Sequence, residues 1–140
     1  MKNSIYPCLW FDGQAKEAAL FYCGIFKNSK ILTDTPMVVK FELNGSVFMG
    51  LNAGPLYKFT EAISYVVECE TQDEIDYYWS RLCEGGREIE CGWLKDKFGL
   101  SWQIVPTILG KLMSDPEKIP RVMSVINRTK KFSIKELENA

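Results

Sequence analysis

At 140 residues, with 46% hydrophobic and 25% charged side chains and a net charge of -1, the chain is long enough to bury a core and has no basic excess to draw in nucleic acid. It contains no histidine, which excludes Ser-His-Asp and Cys-His nucleophile systems, an H-E-x-x-H zinc site and a histidine general base from this chain. Its five cysteines (Cys8, Cys23, Cys69, Cys83, Cys91) form no C-x-x-C pair, its apolar runs are too short to span a bilayer, and Met1-Lys2-Asn3-Ser4 leads into a strand rather than a signal peptide, so the expectation is a reduced, cytoplasmic protein with no membrane segment.

Residues 4–11 form an apolar run interrupted by Pro7, the pattern of an edge or bulged strand. Asp12-Gly13 turns the chain, with Asp12 expected to cap the next element. Over 14–26, Ala15, Ala18, Ala19, Tyr22 and Phe26 recur at helical spacing. A short strand over 30–33 follows. Strands over 38–43 and 46–51 are joined by Asn44-Gly45, a strong two-residue hairpin signal. After a loop containing Gly54-Pro55, the pattern begins again. A strand is expected over 62–69, Thr71 and Glu74 spell a capping box, and Ile75, Tyr78, Trp79 and Leu82 give a helix face. Gly85-Gly86 ends that helix, and 87–90 is a short strand. The stretch from Cys91 to Pro106 then reads as a hairpin turning through Lys95-Asp96-Lys97-Phe98-Gly99. In its second strand, Leu100, Trp102 and Ile104 share one face, and Ser101, Gln103 and Val105 share the other.

Both halves thus read β-α-β-β-β. Phe21-Tyr22 is echoed by Tyr77-Tyr78, and the segment from Gly45 to Met49 by that from Gly99 to Gln103, as an internal duplication predicts. The tail differs. Ser114-Asp115-Pro116 starts a helix with an apolar face of Ile119, Val122, Met123 and Ile126, and Ser133 with Glu136 opens a last short helix. The basic residues Arg121, Arg128, Lys130 and Lys131 are explained by helix C-termini, and no nucleic-acid role is expected of them. The expected fold is α+β: a single domain over 1–140 made of two β-α-β-β-β modules, module one at about 4–54 and module two at about 62–106, with a helical extension over 107–140.

Several segments carry a family resemblance. They are Leu9-Trp10-Phe11-Asp12-Gly13-Gln14-Ala15, Phe26-Lys27-Asn28-Ser29-Lys30-Ile31, Phe41-Glu42-Leu43-Asn44-Gly45, Cys91-Gly92-Trp93-Leu94-Lys95-Asp96, and the run from Phe98 to Pro106. With them the chain resembles the PhnB-like branch of the vicinal oxygen chelate (glyoxalase/bleomycin-resistance/dioxygenase) superfamily, whose members are often labelled 3-demethylubiquinone-9 3-methyltransferase-like. The connection over 32–37 is shorter than is usual in that family. No glycine-rich nucleotide loop joins a strand to a helix, so methyltransferase activity is not expected.

The resemblance implies two troughs enclosing a cavity and a divalent metal held by His and Glu. The corresponding positions here are Pro7, Met49, Ser64 and Gln103. Proline offers no donor, methionine is a soft ligand, and neutral serine is a poor one, so no metal and no cofactor are expected. That leaves an apolar cavity with polar points at Gln103, Ser64 and Glu68, and with Trp102 in its wall; no catalytic residue is identified. The leading expectation is a metal-independent small-molecule binding protein. The alternatives are a metal-dependent lyase, isomerase or dioxygenase using Glu68 with Glu42 or Glu90, and an interaction domain with a filled cavity. A homodimer is expected, as relatives commonly pair and the apolar tail helix needs covering.

Overall fold

The computed structural model describes residues 3–140; Met1 and Lys2, part of the expected N-terminal lead, lie outside the described residues. Two compact units meet in sequence at Phe59 and Thr60.

The first unit contains β1 (Cys8–Phe11), α1 (Ala15–Ile25), β2 (Lys30–Asp34), β3 (Val38–Leu43) and β4 (Ser46–Asn52). Its sheet has the order β1-β4-β3-β2, with β1 parallel to β4 and the other pairs antiparallel. Asn44 and Gly45, at φ of 47° and 88°, turn β3 into β4 in the left-handed conformation that a two-residue hairpin needs. Helix α1 lies close over the sheet because both sides are small: Ala15, Ala18 and Ala19 are buried, and a Cβ on Gly50 would stand 3.0 Å from that of Ala15.

Two expectations fail here for identifiable reasons. Pairing on β1 starts at Cys8, not Ser4, although the Pro7 carbonyl still accepts the Met49 N–H at 3.0 Å. Asp12 does not cap α1. The cap comes from across the sheet, where Asn52 Oδ1 accepts the Ala15 N–H at 2.9 Å and Asn52 Nδ2 donates to the Pro36 carbonyl at 3.0 Å.

The second unit repeats the plan with β5 (Tyr65–Cys69), α2 (Gln72–Cys83), β6 (Arg87–Glu88), β7 (Trp93–Lys95) and β8 (Ser101–Pro106), in the order β5-β8-β7-β6. The Thr71/Glu74 capping box forms in full. Ile75 and Leu82 of α2 are buried with Leu94 and Ile104 of the sheet. Trp79 Nε1 donates to Glu88 Oε2 at 2.8 Å, which ties the helix to the edge strand. Strand β5 begins three residues later than expected, because Thr60–Ser64 form a turn in which Thr60 Oγ1 accepts the Ala62 N–H.

The tail adds α3 (Ile108–Leu112), α4 (Ile119–Asn127) and α5 (Ile134–Glu138). Helix α3 has no capping side chain and contains Gly110, so its sequence carries no start signal. Val122, Val125, Phe132 and Leu137 form a core of their own, with Val125 buried where Met123 was expected. The apolar face of α4 is therefore covered from within the chain, which removes one ground for expecting a dimer.

This tail is fastened to the unit by backbone and side-chain bonds. The Cys91 and Gly92 N–H groups donate to the Thr129 and Lys130 carbonyls at 2.7 and 2.8 Å. Gln72 Nε2 donates to Asp76 Oδ1 and to the Phe132 carbonyl, while its Oε1 accepts the Ile134 N–H. Lys131 pairs with Asp76 at 2.8 Å, and this pairing is the main cause holding the Asp76 carboxyl below its ordinary range. Among the described residues, no helix is long and apolar enough to cross a membrane.

Gly92 has a φ of 82°, and a Cβ there would run into the Phe132 ring. Gly92→Ala is expected to cost about 2 kcal/mol or more, from left-handed strain plus the displaced ring. A urea unfolding curve would show this as a lowered midpoint, and an unchanged midpoint would mean that Phe132 does not seat there.

Candidate functional site

Strand register sorts each sheet into a face that carries the helix and a face away from it. In the second unit Tyr65, Leu94, Trp102 and Ile104 share the α2 side. Val66, Glu68, Trp93, Lys95, Ser101, Gln103 and Val105 share the other. In the first unit, Leu9, Phe11, Val39, Phe41 and Gly50 lie on the α1 side. Cys8, Trp10, Lys40, Met49 and Leu51 lie on the other.

The orientation of the second sheet is set by Asp96, which the sequence reading placed in the turn without a role. Its carboxylate is buried. Oδ1 accepts the Phe98 and Leu100 N–H groups at 2.8 and 3.1 Å, and Oδ2 accepts Trp102 Nε1 at 2.9 Å. A buried carboxylate needs such donors to offset its lost hydration, and an Asp with a backbone partner two residues on is a recognisable turn signal. With Asp96 N–H on the Leu100 carbonyl and Ile104 N–H on that of Gly92, Lys95/Ser101 and Trp93/Gln103 fall at non-hydrogen-bonded positions, where side chains stand closest.

The four positions that the resemblance singled out fall into two pairs. Gln103 Nε2 donates to Ser64 Oγ at 2.9 Å, so these two are brought together on the face away from α2. Met49 stands on the equivalent face of the first unit, opposite Cys8. Pro7 is one residue out of phase: by the alternation of β1 it sides with Leu9 and Phe11, and Cys8 is the residue whose side chain shares the Met49 face. Trp102 is also misplaced as a cavity wall, being buried on the α2 side with its indole nitrogen on Asp96. Glu68 shares the Gln103 face but is exposed and stands opposite Val105, so it does not converge on the amide. Glu42 belongs to the first unit, on β3.

Neither pair fits a hard divalent cation. In the second unit Ser64 Oγ is already engaged by Gln103, and in the first Cys8 and Met49 offer soft sulfur. Partial desolvation raises the pKa of the Cys8 thiol although the residue is exposed, which disfavours the thiolate that a metal would need. Among the described residues no three His, Cys, Asp or Glu side chains come close enough to hold a metal ion. Burial also pushes the thiols of Cys69 and Cys83 up to about 11, with the charges of Glu74 and Glu88 adding to it, so neither is a ready nucleophile at neutral pH.

One ion pair was not foreseen from the sequence. Lys95, on the Gln103 face, holds Glu61 from the 60–64 turn, and that hydrogen bond is the leading cause lowering the Glu61 carboxyl pKa. The Trp93-x-Lys95-x alternation places Lys95 beside Gln103 in the pattern, but its partner lies too far along the chain to be read.

Asp96→Ala is expected to destabilise by about 3 kcal/mol or more, because three donors lose a charged acceptor. Gln103→Ala, which removes one half-buried bond, is expected to cost about 1 kcal/mol. Denaturant titrations of the two variants would check the ranking, and equal losses would mean that Asp96 does not organise the hairpin.

Comparison with known proteins agrees with this architecture. The family model described as 3-demethylubiquinone-9 3-methyltransferase matches residues 3–105. The PhnB protein from Bacillus cereus is similar at 32% identity over 75% of this chain and 100% of that one, with a TM-score of 0.68. Protein PA1353 from Pseudomonas aeruginosa aligns at 18% identity over 75% of this chain and 98% of its own, with a TM-score of 0.65. The fosfomycin resistance protein FosX from Listeria monocytogenes, complexed with Mn(II) and sulfate, aligns at 14% identity over 81% of this chain and 97% of its own, with a TM-score of 0.59. At such identities the last two speak for the fold alone. No curated protein matches the chain. With two β-α-β-β-β units in the expected order and a family match over most of its length, the chain belongs to the 3-demethylubiquinone-9 3-methyltransferase family, the PhnB-like branch of the glyoxalase superfamily.

Proposed function

We propose that this protein binds a small organic molecule without a metal, using the sheet faces turned away from the helices. The observation that carries the reading is the Gln103–Ser64 hydrogen bond. Two of the positions at which the superfamily implies metal ligands satisfy each other instead, beside the apolar Trp93, Val66 and Val105. Soft sulfur at Met49 and Cys8 in the first unit points the same way.

The methyltransferase in the family description finds no support in the strand-to-helix turns. Asp12-Gly13-Gln14 and Glu70-Thr71 lack the glycine-rich loop with which a Rossmann-type enzyme receives its nucleotide. We further propose a cytoplasmic homodimer. Five free cysteines support the compartment, and the exposed apolar side chains of Ile5, Met37, Leu56 and Tyr57 in the first unit support a partner surface.

Protein purified without a histidine tag is the material for the test. Native mass spectrometry is expected to show a dimer carrying no divalent metal, and binding of the uncharged dye N-phenyl-1-naphthylamine is expected to be unchanged by EDTA or by added Mn(II). One metal retained per chain, or dye binding that needs metal, would overturn the metal-independent reading.

A further inference from the structure

Within the second unit, one polar group on the face away from α2 is left over. Ser101 is completely buried, and among the described residues its hydroxyl has no hydrogen-bond partner. A buried hydroxyl without a partner is costly, and a bound molecule is one of the few things that would satisfy it. Ser101 stands opposite Lys95 at a non-hydrogen-bonded position, where Cβ atoms approach to about 4.5–5.5 Å. It also lies two residues before Gln103 on the same face.

Lys95 has a partner of a particular kind. Glu61 comes from the Thr60–Ser64 turn, and its side chain is 60% exposed, against 19% for that of Lys95. The half-buried partner is thus the ammonium on the rigid strand, and the exposed one is the carboxylate on a turn. The same turn is held at its other end by Ser64 on Gln103. Two side-chain contacts latch one short segment over the lysine and the amide that flank the unsatisfied hydroxyl.

We propose that Glu61 is an internal stand-in for a ligand carboxylate, and that the ligand is a small organic acid with an apolar, aromatic-sized body. The ligand carboxylate displaces that of Glu61 from Lys95 and accepts the Ser101 hydroxyl, while the Gln103 amide exchanges Ser64 for a ligand oxygen. The body of the ligand lies along Trp93, Val66 and Val105. Displacement trades one carboxylate for another on the same ammonium, so no buried charge is left without a partner at any stage. The proposal deepens the small-molecule reading above and rests on it.

The test compares 2-naphthoate with 2-naphthamide, which differ in charge and hardly in shape, by isothermal titration calorimetry at fixed ionic strength. The wild-type protein is expected to bind the acid about tenfold more tightly than the amide, the size of one charge-assisted hydrogen bond. Lys95→Met is expected to abolish that preference, leaving amide binding in place. Glu61→Gln is expected to tighten the acid about threefold, because a competing carboxylate worth a weak surface pair is gone, with the amide unaffected. If acid and amide bind equally in all three proteins, the stand-in proposal is overturned and the small-molecule reading survives. If acid binding is unchanged or weakened in Glu61→Gln, Glu61 is not a competitor and the proposal is likewise overturned. Binding of neither compound, with N-phenyl-1-naphthylamine also failing to bind, would overturn both readings together.

Discussion

The geometry of the second sheet depends on one buried charge. Asp96 carries its carboxylate into the interior and receives two backbone N–H groups and an indole N–H there. Those contacts fix where β7 stops, where β8 starts, and which side chains fall on which face. Had the hairpin slipped by one residue, Gln103 and Ser101 would face α2, and Trp102 would lie on the other side. The first unit makes its hairpin turn with two residues in left-handed conformation, Asn44 and Gly45. A backbone device specifies one hairpin, and a side-chain device specifies its counterpart.

Wherever the signal was local, the fold could be read from the sequence. Asn44-Gly45 marked the first hairpin and Thr71 and Glu74 the start of α2, and the alternation along β8 separated Gln103 from Trp102 without telling which of the two faces the helix. Long-range contacts could not be read in this way. Helix α1 is capped from β4 rather than by its own Asp12, and the lysine on β7 is matched by a glutamate from the turn before β5. The start of β1 was misjudged because an apolar run does not announce where its ladder of hydrogen bonds begins. The position carried over from the resemblance was Pro7, whereas Cys8 is the residue that shares the face of Met49.

Family membership and site chemistry carry different weight. The doubled β-α-β-β-β plan is a scaffold on which many reactions are possible, so membership alone names none of them. The residues on the faces away from the helices are more informative. In the second unit they include Gln103, Ser101, Lys95, Trp93 and the exposed Glu68, and in the first Cys8 and Met49 bring sulfur. Neutral amide, hydroxyl and thioether groups are poor at holding a hard cation.

The tail makes the two units unequal in time as well as in shape. All five regular elements of the first unit are complete at Asn52, so that unit has its whole sheet in hand while synthesis of the chain continues. The turn at Cys91 and Gly92 has its backbone partners at Thr129 and Lys130 and its packing partner at Phe132. The second unit therefore cannot close the turn leading into β7 until Phe132 has left the ribosome. A nascent chain arrested before Phe132 would carry one finished half and one with its hairpin entrance unsealed.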